Sequence, residues 1–180
     1  MTNNNNTQAI SRRSLLKVGI AGAAVLATAG VATSVFVHNQ QSLAGGYQQL
    51  RAKDVPMLST IISAILQGRT SAPVTQSQID STLQRLDRNI DRLSPNMLKQ
   101  TLQLFDLLTL SASRGLVTGI WRPWERAEAT QVQAFLKRWE SSRFALFQQG
   151  YLALVKLTLM AWYSQPDAWA VCGYPGPPTI

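Results

Sequence analysis

From Asp54 to Tyr163 the apolar positions fall at the spacing of amphipathic helices. Met57, Leu58, Ile61, Ile62, Ile65 and Leu66 recur at three- and four-residue steps behind Asp54-Val55-Pro56, which predicts a first helix closed by Gly68. Thr75 with Gln78 is a capping-box pair, and Ile79, Leu83, Leu86, Ile90 and Leu93 continue as the stripe of a second helix. Ser94-Pro95 restarts the chain for a third, whose Met97, Leu98, Leu102, Leu104, Phe105, Leu107, Leu108 and Leu110 surround much of its circumference. That profile predicts the central helix, ended by Gly115.

Gly119 to Glu125 breaks the period and predicts a loop with two tryptophans. Thr130 with Gln133 then opens a long helix through Phe135, Trp139 and Phe147 to Tyr163, with a bend expected at Gly150. Beyond Pro166 the three prolines of Gly173-Tyr174-Pro175-Gly176-Pro177-Pro178 predict an extended tail. No alternation suggests a sheet and no repeat is evident. The expected fold is all-α: a small helical bundle with an N-terminal signal helix and an extended Pro/Gly-rich C-terminal tail.

The first forty residues read as an address. Ser11-Arg12-Arg13-Ser14-Leu15-Leu16-Lys17 precedes Val18 to Val37, a run without a charged side chain. Arg12 and Arg13, with Leu15 and Leu16 behind them, resemble the twin-arginine export motif. Ala, Gly and Thr make the run less lipophilic than a Leu-rich span, and a retained membrane anchor is the other reading of it. Ser42 and Ala44 are small residues suited to cleavage after Ala44. The organisation expected is 1–44 twin-arginine signal segment and 45–180 helical accessory domain, delivered to the periplasm by the twin-arginine translocase and touching the membrane through the signal segment. Because that route carries folded proteins, a chain without a cofactor motif can lend its signal to a partner that has one.

Charge and composition narrow the chemistry. Removing Arg12, Arg13 and Lys17 from the 17 basic residues leaves 14 against 9 acidic ones, interleaved along helices, so no basic stripe suggests nucleic acid. Cys172 is the only cysteine and His38 the only histidine, which provides no disulfide and no Cys/His metal set; Cys172 is read as a small buried side chain. The domain of about 135 residues is of ordinary single-domain size. It has no histidine to serve as general base, and Asp87 and Asp91 among Arg85, Arg88 and Arg92 read as a solvated, salt-bridged face. The glycines lack a phosphate-binding pattern, so no catalytic, metal or cofactor site is expected in this chain.

Aromatic residues gather late: Trp121, Trp124, Trp139, Trp162, Tyr163, Trp169 and Tyr174. Most such residues are core or loop-pinning groups, and the alternative is a set of interface anchors, with Arg122 placed to stack between two indoles. The stretches Trp121-Arg122-Pro123-Trp124-Glu125 and Ala161-Trp162-Tyr163-Ser164-Gln165-Pro166-Asp167-Ala168-Trp169, together with the Gly173 to Pro178 ending, resemble the small exported subunits of bacterial flavin-dependent dehydrogenases of the glucose-methanol-choline type. Gluconate 2-dehydrogenase subunit 3 and the sorbitol dehydrogenase small subunit are of this kind. The resemblance covers the leader and most of residues 47–178.

It implies a large flavoprotein subunit that binds FAD and oxidises an alcohol or sugar, often passing electrons to a cytochrome c subunit, while the small subunit supplies export and assembly. Trp121, Arg122, Trp124, Trp162, Tyr163, Trp169 and Tyr174 are the packing or partner-interface positions it implies. A stand-alone periplasmic binding or structural protein, and a membrane-anchored assembly factor, are the competing readings.

Overall fold

A computed structural model describes residues 42–67, 69–70 and 72–176. The signal helix with Arg12, Arg13, Leu15 and Leu16, the helix stop at Gly68, the Cys172 side chain, and Pro177 and Pro178 lie outside the described residues. Those described hold seven α-helices, α1 Asp54–Leu66, α2 Gln76–Asp91, α3 Pro95–Thr109, α4 Ser111–Thr118, α5 Ala129–Glu140, α6 Ala145–Tyr163 and α7 Pro166–Cys172, with a 3-10 turn at Trp124–Arg126. Among them the only β pairing outside a strand is an antiparallel bridge between Leu43 and Arg51. No helix among the described residues is long and apolar enough to cross a membrane.

The apolar stripes do what their spacing dictates. In α1, Met57, Leu58, Ile61, Ile62, Ile65 and Leu66 are all buried, and α2, α3, the 3-10 turn, α5 and α6 pack around them. The Thr75 capping box forms: the Thr75 hydroxyl accepts from the Gln78 N–H, and the Gln78 side chain accepts from the Thr75 N–H at 3.0 Å. Behind it Ile79, Leu83, Leu86 and Ile90 line the buried face of α2 against α6 and α1.

The centre of the bundle is therefore α1 and not the third helix. In α3 only Phe105 and Leu108 are fully buried, and the leucines around them are half-exposed. Nor does that helix run to Gly115. It stops at Thr109, where Leu110 takes an extended conformation (φ −67°, ψ 122°) and starts α4, while the Ser113 hydroxyl donates to the carbonyls of Leu107 and Leu110. A serine can satisfy orphan carbonyls at a helix end, which permits a break without glycine or proline. Helix α4 passes through Gly115 and ends at Gly119, whose φ of 72° is the left-handed conformation common at helix ends.

The predicted long helix is likewise two. Its capping box is Glu128 with Gln131 rather than Thr130 with Gln133. The break falls at Ser141–Phe144, where the Ser141 hydroxyl donates to the Lys137 carbonyl and the Ser142 hydroxyl accepts from the Phe144 N–H. Gly150 lies inside α6, pressed against the indole of Trp139; a Cβ there would sit 2.5 Å from the ring. Pro166 opens a further short helix, α7, ahead of the Gly173 to Pro178 ending. The Gln165 side chain fixes its start to α2, donating to the Thr82 hydroxyl and accepting from the Ser81 hydroxyl at 2.6 Å. Gly173 to Gly176 follow without regular structure beyond the turn at Gly173.

The charged groups at the start of α1 form a neutral set. Arg51 is bidentate to Asp54 (2.7 and 3.1 Å) and reaches Asp106 at 2.8 Å, and Lys53 reaches the same Asp106 oxygen at 2.7 Å. Two cations and two carboxylates thus join the start of α1 to α3. Asp87, expected on a solvated face with Asp91, is only 3% exposed. Its carboxylate accepts the backbone N–H groups of Gln48, Gln49 and Leu50 at 2.7 to 2.9 Å, and Asp91 accepts from the Gln49 amide. Among the described residues no buried side-chain nitrogen or oxygen lacks a hydrogen-bond partner, as native interiors require.

Two consequences are measurable. Gly150→Ala gains helix propensity but drives a methyl into a ring that is itself held by neighbours, for a net loss of about 1–2 kcal/mol by urea denaturation. Asp87→Ala strands three backbone donors and costs about 2–4 kcal/mol, whereas Asp91→Ala changes stability by less than about 0.5 kcal/mol.

Candidate partner interface

The seven aromatic and basic positions separate into three settings. Trp124 and Trp162 are core residues, 3% and 1% exposed. The Trp124 indole donates to the Leu108 carbonyl at 2.9 Å and meets Phe135 edge-on at 6.3 Å. From Phe135 the aromatic packing continues to Trp139 (4.9 Å) and then, stacked, to Phe147 (5.2 Å). Trp162 is enclosed on the inner face of α6.

Tyr163, Trp169 and Tyr174 form a second set where α6 gives way to α7. The Trp169 indole donates to the Tyr163 carbonyl at 2.8 Å, and its ring meets Tyr174 edge-on at 5.9 Å. The Tyr174 N–H closes the end of α7 on the Trp169 carbonyl. Trp169 is half-buried, while Tyr163 and Tyr174 remain exposed.

Trp121 and Arg122 make the third set, on the loop after α4. Trp121 is 68% exposed, yet its ring lies over Gly115, where an added Cβ would come within 2.3 Å of it. Glycine at this position is a seat for the indole. The loop beneath is fixed from several sides. Arg114, itself buried, donates to the carbonyls of Ile120 and Trp121, both at 3.2 Å. The Thr118 hydroxyl accepts from the Ile120 N–H, Ile120 is buried, and Thr60 holds the Trp124 carbonyl. The Trp139 indole donates to the Val117 carbonyl at 2.9 Å. Leu116, 77% exposed, stands beside Gly115 in the chain, and Arg122 and Arg126 are exposed on the same loop.

Sequence reasoning missed Arg114, whose surroundings of Ser, Gly and Leu give no sign that its guanidinium folds inward. Asp87 was findable: four residues after Leu83 and three before Ile90, it falls on the apolar stripe of α2.

One concave feature accompanies these surfaces. A groove of about 240 Å³ between α1, α5 and α6 is lined by apolar Ile65, Leu136 and Val155 and by polar Arg69, Glu140 and Tyr151. The Tyr151 hydroxyl donates to Glu140 at 3.0 Å. Partial burial, then the hydrogen bond and the charge of Glu140, raise the Tyr151 hydroxyl above its ordinary pKa, against a smaller opposing pull from Arg69. It is a hydrogen-bond donor at neutral pH and not a base. Among the described residues no group of His, Cys, Asp and Glu is placed to hold a metal ion.

No protein-family model matches this chain, and no curated protein or solved structure matches it significantly.

The settings predict opposite mutational costs. Trp124→Ala empties a core site and removes about 3–5 kcal/mol, while Trp121→Ala costs less than about 1 kcal/mol, both read from urea midpoints.

Proposed function

We propose that this chain is the non-catalytic small subunit of a periplasmic FAD-dependent alcohol or sugar dehydrogenase, which it exports, assembles or stabilises. The observation that carries the reading is Trp121, an indole kept in the open on a loop that Arg114 and the core immobilise. Exposed tryptophan and arginine on a rigid support suit a binding anchor, because little conformational freedom is lost on docking. The twin-arginine leader and the aromatic motifs of the dehydrogenase small subunits support the same reading. FAD belongs to the large partner in this scheme, with a cytochrome c subunit as electron acceptor, and the translocase reads Arg12 and Arg13. Tyr163, Trp169 and Tyr174 offer a second contact region; Trp124 and Trp162 act from the core by shaping the surfaces.

A stand-alone binding protein would rely on the groove beside Tyr151. Its volume of about 240 Å³ falls below the roughly 300–1,000 Å³ of ordinary ligand sites, and it is the weaker reading.

Replacing Arg12 and Arg13 together by lysine tests the carrier role. Both this chain and the FAD-dependent dehydrogenase activity that copurifies with it should remain in the cytoplasm. Periplasmic dehydrogenase activity at the wild-type level would refute the role.

A further inference from the structure

The link between the leader and the domain is built into the fold. Residues 42–52 form a small hairpin: the Ala44 N–H donates to the Leu50 carbonyl at 2.9 Å, Ala52 N–H to Ser42 at 3.4 Å, and Leu43 bridges Arg51. The turn between them is tight, with the Tyr47 N–H on the Ala44 carbonyl at 3.0 Å and Gly46 at a φ of 85°. The returning segment cannot leave easily. Gln48, Gln49 and Leu50 donate three successive N–H groups to Asp87, Leu50 is fully buried, and Arg51 sits in the ionic cluster with Asp54 and Asp106.

Ser42 and Ala44 are the small residues a signal peptidase would read. Hydrolysis there adds water across the Ala44–Gly45 peptide, leaving a carboxylate on Ala44 and an amine on Gly45. A peptidase cleft takes its substrate as an extended segment with its backbone groups free to pair with the enzyme. In the folded domain the Ala44 N–H and the Ser42 and Ala44 carbonyls are already paired with residues 47–52. The exposed Gly45-Gly46 tip is chemically inviting. It can be threaded into a cleft only if the hairpin opens, and opening requires release from Asp87.

We propose that folding of the helical domain shields the Ala44–Gly45 bond through the Asp87-latched hairpin, so that this bond is cut only before the domain folds or after the latch opens. The shielding stands on the hydrogen bonds alone. Its consequence for export rests on the reading proposed above: cargo that folds before translocation meets the peptidase with the bond already shielded, and the leader, with its uncharged run from Val18 to Val37, stays attached.

The test uses the full chain and a purified elastase-type serine protease, whose small specificity pocket accepts alanine. In one variant the five residues Ser42 to Gly46 are duplicated immediately before Ser42, which places an identical sequence outside the hairpin. Cleavage of a latched segment tracks the population of its open form, so the upstream copy should be cut at least about tenfold faster than Ala44–Gly45, by mass spectrometry and N-terminal sequencing of the products. Asp87→Ala, where circular dichroism shows it still helical, should remove most of that difference. Equal cleavage of both copies in the folded protein would overturn the inference, as would resistance of the upstream copy, since protection would then lie in the sequence and not the hairpin. If the leader directs no export, the proteolysis result is unaffected, and the two failures are told apart.

Discussion

Helix α1 can be enclosed by five other elements only because the charges at its beginning cancel at contact distance. Arg51, Lys53, Asp54 and Asp106 meet where α1 starts and α3 passes, and Asp54 is wholly buried. Unpaired, any of these ions would carry a desolvation penalty of several kcal/mol. Paired, they are a fixed joint. The apolar remainder of α1 then has no polar obligation and supplies the continuous surface on which the other helices settle. Asp87 plays the matching part for α2: three successive backbone N–H groups end on one carboxylate, which binds the segment before α1 to the helix after it.

Much of this was legible in the sequence, and the failures have a common cause. Helical faces followed from spacing, since burial of a stripe at three- and four-residue steps is nearly the only way such a segment can be stabilised. Breaks did not. Gly115 and Gly150 look like helix punctuation in the sequence because glycine frees the backbone, whereas each is helical and lies against an indole. The real interruptions, at Leu110 and Ser141–Phe144, use serine hydroxyls to satisfy carbonyls, and serine is too common to signal a stop. The third helix looked central from its leucines, but hydrophobicity all round a helix does not say which neighbours arrive. Its Met97 and Leu110 stay exposed.

The aromatic positions show the same division between kind and place. Composition correctly picked tryptophan and tyrosine as the residues to watch, yet nothing in Trp121-Arg122-Pro123-Trp124 tells which indole turns inward. The structure resolves it through hydrogen-bond supply. Trp124 finds the Leu108 carbonyl and the ring of Phe135, so its burial leaves no donor unsatisfied. Trp121 lies against Gly115 and stays mostly exposed.

That difference bears on which exposed apolar surface is best suited to hold a partner. Leu152 and Met160 on the outer side of α6 are open too, but Lys156 lies between them on the same face, and leucine and methionine must give up rotamer freedom when covered. The indole of Trp121 has few rotatable bonds and rests against Gly115, and Arg114 holds the backbone beneath it. The rigid core chain of Trp124, Phe135, Trp139 and Phe147, which fixes Val117 and the 3-10 turn, therefore reaches beyond stability: it helps set the position of Trp121, the most exposed of the five tryptophans.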